Sequence, residues 1–338
     1  MTSVREDLEQ ALREYEEEER KRRQKELKER EERIRQEIEQ KKQEKEEETI
    51  QSFYEHLKQP EIEGYSKTPY CDSEGKNTVG VGNRIPNYEA VQNLTMTSKD
   101  APVSENNPAW SEDKKRDFMQ KLDEFCKDKE NWNKSPKNQF NEYQKRNNET
   151  MPYFQDDELE ELSKNYIKKT ALPEVVRNAQ NVGIDFYHDL NRDGQKGLID
   201  MQYNLGGNKF KLIDLEDAKQ IENSNLKYKN ELKADANSYL RPEIRKDLSS
   251  NGYWPGLSNA LKQRDSSMIQ KEIHRSNVSD KRNDKVRDFF ANPWQDAATA
   301  QGNISSQKLN QSNYFQKPYL QRRNKLKNPW DEEDKWWY

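Results

Sequence analysis

Cysteine is almost missing from these 338 residues: Cys71 and Cys126 are the whole supply, so neither a disulfide framework nor a four-cysteine zinc site can be built. Reduced, structural thiols are the default expectation, with a single bridge between the two as the other reading. The only histidines, His56, His188 and His274, lack metal-type spacing, and nothing marks a nucleophile for a histidine triad. No metal or cofactor is expected, and an enzyme made from this chain would take its acid and base from carboxylates. No run of about 18 apolar residues offers a membrane span, and the first thirty residues contain no signal-peptide core. Synthesis in the cytoplasm without a signal peptide is therefore expected. Apolar residues make up 30% of the chain and charged ones 36%, which argues against one compact core running through it. Lys plus Arg is 59 against 63 Asp plus Glu, a net charge of −4, and that balance opposes a mainly electrostatic nucleic-acid binder.

What is present is unevenly distributed. Residues 1–50 hold 14 basic and 18 acidic side chains and no Gly or Pro, so the whole net charge belongs to this stretch. It reads as one long solvated helix over about 1–52, a spacer or coiled coil. Val4, Leu8, Leu12 and Tyr15, then Leu27, Ile34 and Ile38, recur at helical spacing, but residues 16–26 break the seam, which favours the single helix. Apolar density is greatest over 151–260, where Leu159, Leu162 and Tyr166, then Leu172, Val175, Val176 and Ala179, then Leu198, Met201 and Leu205 follow helical spacing. Pro173 should begin or kink a helix. Residues 101–150 read as a polar insertion with one helix near 111–130. Beyond 262 a polar extension to 338 carries Asn-Pro-Trp twice, at 292–294 and 328–330, and ends in Trp336, Trp337 and Tyr338, anchors for a partner groove unless they fold back.

The chemistry-bearing string is EGYSKTPYCDSEGKNTVGVG, residues 63–82. A helix-like segment leads to Glu63, an extended stretch reaches Asp72, DSEGKN turns around Gly75, and Thr78 opens a strand with Gly80 and Gly82. One carboxylate ends a helix and another sits at a hairpin tip, the pair that glycoside hydrolysis needs. Taken alone, Asp72 is a turn residue.

The whole string resembles the phage-type lysozymes, the muramidases of glycoside hydrolase family 24. That family's Glu-Gly, Tyr, Asp, Thr and paired Gly are matched in register by Glu63-Gly64, Tyr70, Asp72, Thr78, Gly80 and Gly82. The chain departs at Asn83, where the family usually has His, which removes a structural ion pair rather than the chemistry. A second segment, QKGLIDMQYNLGG at 195–207, is similar to the family's central helix through Gln195, Leu198, Asp200, Tyr203, Asn204 and Gly206. A third and weaker likeness, at 239–254, offers Arg241, or else Arg245, as the guanidinium approaching the acid. The overlapping pattern Asp189, Asn191, Asp193, Gly194 and Asp200 suggests a calcium loop, but its twelfth place lacks the bidentate Glu and Lys196 stands at the eighth.

The resemblance implies an α+β, mostly helical fold over 53–262: a small β-hairpin lobe and a helical C-terminal lobe, preceded by the charged helix. It implies Glu63 as general acid, Asp72 as the base that activates water, and Thr78 as the holder of that water. Tyr70, Gly80, Gly82, Tyr203, Asn204 and Arg241 would border the sugar. The implied partner is bacterial peptidoglycan, cut between N-acetylmuramic acid and N-acetylglucosamine with inversion. A glycan-binding structural or adaptor role, or lytic transglycosylation, are the other readings. With no signal peptide, a wall hydrolase would reach the periplasm through phage or injection machinery, which the N-terminal helix and C-terminal tail could dock.

Overall fold

The computed structural model describes residues 2–132, 134–205, 209–213, 242–275 and 278–295; side chains before Tyr15 are not among those described. The chain is mostly helical with a small antiparallel sheet and a long N-terminal helix. Helix α1, Thr2–Leu57, carries i,i+4 pairs such as Glu17–Lys21 at 2.7 Å and Glu19–Arg23 at 2.5 Å. Leu27, Ile34 and Ile38 are exposed on it, whereas Ile50, Phe53, Tyr54 and Leu57 are buried. The boundary expected at 52 is thus crossed by one continuous helix. Its charged length needs no partner core, and its last two turns belong to one. Val4, Leu8 and Leu12 lie outside the described side chains.

A three-stranded antiparallel sheet follows: β1, Ser66–Cys71; β2, Asn77–Gly80; β3, Asn83–Arg84. Tyr70 pairs with Thr78 and Cys71 with Asn77, so the hairpin turn is Asp72 to Lys76. A two-stranded ribbon, β4 (Met96–Thr97) with β5 (Tyr153–Phe154), brackets the insertion. The helix expected near 111–130 is α2, Glu112–Lys127, capped by Ser111, and a second insertion helix, α3, Pro136–Asn147, is capped by Ser135.

The insertion is less polar than its composition suggests. Phe118, Met119, Leu122, Phe125 and Cys126 of α2 and Tyr143 of α3 are buried with Cys71, Val79, Ile85 and Leu159 in a core of their own. Cys71 and Cys126 form a disulfide with a Cα separation of 5.4 Å, which corrects the expectation of reduced thiols. The fold brings the ends of β1 and α2 together, and sequence spacing carries no trace of that approach.

The remaining helices are α4 (Asp156–Tyr166), α5 (Leu172–Asn181), α6 (Arg192–Leu205), α7 (Pro242–Ser250), α8 (Pro255–Lys262), α9 (Ser266–Glu272) and α10 (Asp280–Phe289), and the helical core collects the end of α1 with α5, α6, α8, α9 and α10. A π-turn, Ile167–Ala171, joins α4 to α5 immediately before Pro173, whose missing N–H and ring bulk forbid a regular α-helical passage.

The folded unit does not stop at 262. Ile269, Ile273, Val286 and Phe290 are buried in this core, and the first Asn-Pro-Trp folds back: Asn191 donates to the Asn292 carbonyl at 2.7 Å. Few apolar residues mark α10 because half of its buried residues, Arg282 and Asn283, are polar. The second Asn-Pro-Trp and the terminal aromatics lie outside the described residues. Gly197 of α6 lies so close to the Phe290 ring that a Cβ would collide with it. Gly197→Ala should therefore destabilise the protein by about 1–3 kcal/mol, read from urea unfolding. An unchanged midpoint would mean that α10 does not dock there. Among the described residues, no helix is long and apolar enough to cross a membrane.

Candidate active site

Strand β2 leaves the insertion core at Val79, and Val81 enters the helical core, so the Gly80–Gly82 turn sits at the joint between the two. Both glycines hold positive φ, +66° and +94°, a region closed to most side chains. Glu63, six residues beyond the end of α1, reaches this joint. A Cβ on Gly82 would stand 3.4 Å from Glu63 Cδ and Oε2, at van der Waals contact, so the carboxyl lies directly against this turn.

The guanidinium that meets Glu63 belongs to Arg282 of α10: its Nη1 donates to Glu63 Oε1. Arg241 lies outside the described residues. Arg282 also donates from Nη2 to Asp200 Oδ2 at 2.9 Å, and Arg275 donates from Nη1 to Asp200 Oδ1 at 2.6 Å. His56 Nε2 lies 3.2 Å from Asp200 Oδ2. Two carboxylates and two guanidiniums balance, as buried charges must. Burial alone would raise the Asp200 carboxyl, but the charge of Arg282, the His56 hydrogen bond and the charge of Arg275 together hold it well below the ordinary carboxylate range.

Sequence reasoning placed Arg282 in a polar extension. The signal that could have found it is Ser279 as an N-cap followed by Val286 and Phe290 in helical phase with Arg282.

Asp72 is fixed by its own turn. Its Oδ1 accepts from the Glu74 and Lys76 amides at 2.8 Å each, while Oδ2 lies 3.8 Å from Arg84 Nη2. Thr78 is buried, and its hydroxyl donates to the Lys76 carbonyl at 3.1 Å. Burial, then the charges of Glu63 and Asp72, push the Tyr70 phenol well above its usual value.

The remaining candidates are engaged structurally. The Tyr203 hydroxyl donates to the Val81 carbonyl at 3.1 Å, bracing the glycine turn, and the ring meets Phe53 and Tyr166 edge to face. Asn204 turns its amide back onto the Asp200 carbonyl and Oδ1, both at 3.0 Å. Gly206 lies outside the described residues. Asn83, standing where the resemblance wants His, donates to Ser163 Oγ at 2.8 Å.

The five calcium-loop positions do not converge. Asn191 accepts from the Asp193 and Gly194 amides at 3.0 Å as a helix cap, Asp189 pairs with Arg264 at 2.5 Å, and Asp200 faces the buried arginines. Among the described residues, no cluster of His, Cys, Asp and Glu could hold a metal ion. Neither a family model, nor a curated protein, nor a solved structure matches this chain.

Proposed function

We propose that this chain is a peptidoglycan hydrolase of the muramidase type, with a lysozyme-like fold around Glu63 and Asp72. The observation that carries the reading is the placing of two acids on one hairpin: Glu63 lies against the Gly80–Gly82 turn at the end of β2, held by Arg282, and Asp72 is pinned in the turn between β1 and β2. The resemblance of residues 63–82 to family 24 supplies the substrate class.

Each carboxylate has one occupied and one less committed oxygen, and this suggests the division of labour. Glu63 Oε1 is held by Arg282, which leaves Oε2 to carry the proton delivered to the glycosidic oxygen. Asp72 Oδ1 is held by backbone amides, which leaves Oδ2 to take a proton from water. The Thr78 hydroxyl hydrogen is spent on the Lys76 carbonyl, so Thr78 would hold that water as an acceptor. The water's two hydrogens then point to Asp72 and Thr78 and its lone pair to the anomeric carbon, the arrangement of an inverting hydrolase.

Mass analysis of the products of the purified chain on peptidoglycan tests the reading. Hydrolysis adds one water per cut and leaves a reducing muramic acid. An anhydro sugar would replace it with transglycosylation, and glycan retention without cutting would replace it with a binding role.

A further inference from the structure

The hairpin turn that carries Asp72 is held from outside by three contacts, all from residues 126–139 of the insertion. Cys71, the residue before Asp72, is bonded to Cys126 at the end of α2. Gln139 of α3, completely buried, behaves as a substitute strand: its Oε1 accepts from the Cys71 amide at 2.7 Å and its Nε2 donates to the Cys71 carbonyl at 2.9 Å. The same Nε2 donates to the Lys134 carbonyl at 2.9 Å, so the amide is fully used. Trp132 anchors its indole on the Cys126 carbonyl at 2.7 Å and lays its ring against Gly75, where a Cβ would have no room.

β1 is the edge strand of its sheet, and the turn beyond it is short and solvent-facing. Without these contacts its position would rest on the hairpin alone: the Asp72 bonds to Glu74 and Lys76, the Asp72 amide on the Lys76 carbonyl at 2.9 Å, and exposed Arg84 of β3 on Glu74 at 2.7 Å. The insertion is built around the place where a catalytic base must not drift.

Resting on the hydrolase reading above, we propose that the 101–150 insertion is a brace for the Asp72 turn, latched by the Cys71–Cys126 disulfide, so that oxidation of this pair switches hydrolysis on. Latching breaks two S–H bonds and forms one S–S bond. The two electrons and two protons pass to a disulfide-class oxidant, whose own S–S bond opens to two thiols. A dithiol reductant runs the same exchange backwards. In a reducing compartment the chain would carry the acid in place and the base loose; an oxidising one fixes both. Gln139 and Trp132 are positioning residues in this scheme.

The test uses the full chain in three forms: oxidised wild type, the Cys71→Ser/Cys126→Ser double variant, and oxidised Gln139→Met. Steady-state kinetics on soluble peptidoglycan fragments are read together with amide hydrogen exchange. Both variants should lose about tenfold or more in kcat, because a displaced base misaligns the attacking water, with KM within about twofold. Amides of residues 72–77 should exchange faster in both while those of α6 stay protected. Dithiothreitol should slow the wild type and leave the double variant unchanged. Equal kcat and equal exchange at 72–77 in all three forms would overturn the brace. If the double variant also loses protection in α6, Gln139→Met, which keeps the disulfide, decides alone. If the oxidised wild type cuts no glycan, the hydrolase reading fails, and exchange at 72–77 still decides whether the insertion holds the turn.

Discussion

Glu63→Gln should abolish clearing of peptidoglycan while leaving the protein folded. General-acid protonation contributes about 10²–10⁴ in rate, and a glutamine has no proton of suitable acidity to give. The fold should survive because the substitution keeps shape and an acceptor oxygen for Arg282, which still has Asp200. Removing one charge from a half-buried site should move Tm by only a few degrees, given about 2–4 °C per kcal/mol at this size. The measurement is turbidity loss of a wall suspension beside a thermal melt of the same sample. Clearing at the wild-type rate by a folded variant would remove Glu63 from the role of acid.

Asp200→Asn should have the opposite profile, with stability lost first. The side chains of Arg275 and Asp200 are fully buried and that of Arg282 is 5% exposed, so a neutral amide leaves Arg275 without its counter-ion and two guanidiniums with Glu63 alone between them. Breaking such a pair costs about 3–5 kcal/mol, or on the order of 10 °C in Tm. The acid limb gives a second reading. Because the folded-state Asp200 carboxyl is held down by Arg282, His56 and Arg275, its stabilisation is present above the unfolded value of about 4 and is lost as pH falls below it. The wild type should therefore weaken on acidification below about pH 4 by an amount that the variant lacks. Identical acid unfolding of the two would mean that Asp200 is not the counter-ion of this cluster.

Parts of this architecture could be read directly from residue order. The Asp72 turn was legible because DSEGKN is turn chemistry between extended segments, and α6 because Leu198 and Met201 repeat at helical spacing on a face that is wholly buried. Arg282 was illegible for a physical reason. Its helix buries Arg282 and Asn283 beside Val286 and Phe289, so half of its inner face is polar and leaves no apolar stripe to count. The disulfide was illegible because Cys71 and Cys126 lie 55 residues apart and meet only through the packing of α2 against the sheet. The insertion core was hidden by averaging: α2 is mostly charged, and its apolar residues fall on one side. Patterns within one element could be read, and agreements between distant elements could not.

The unbroken passage of α1 into the site has a mechanical consequence. A helix without Gly or Pro across its charged length acts as a rod: residues 2–49 span about 70 Å at 1.5 Å per residue. Its far end is registered to Glu63 in azimuth as well as in distance. Adding one residue in the rod would swing that end by about 100° around the axis, whereas adding seven would return it close to its starting bearing. Whatever grips the distal turns would set the compass heading of the hairpin lobe, so length changes in this segment act as rotations before they act as extensions.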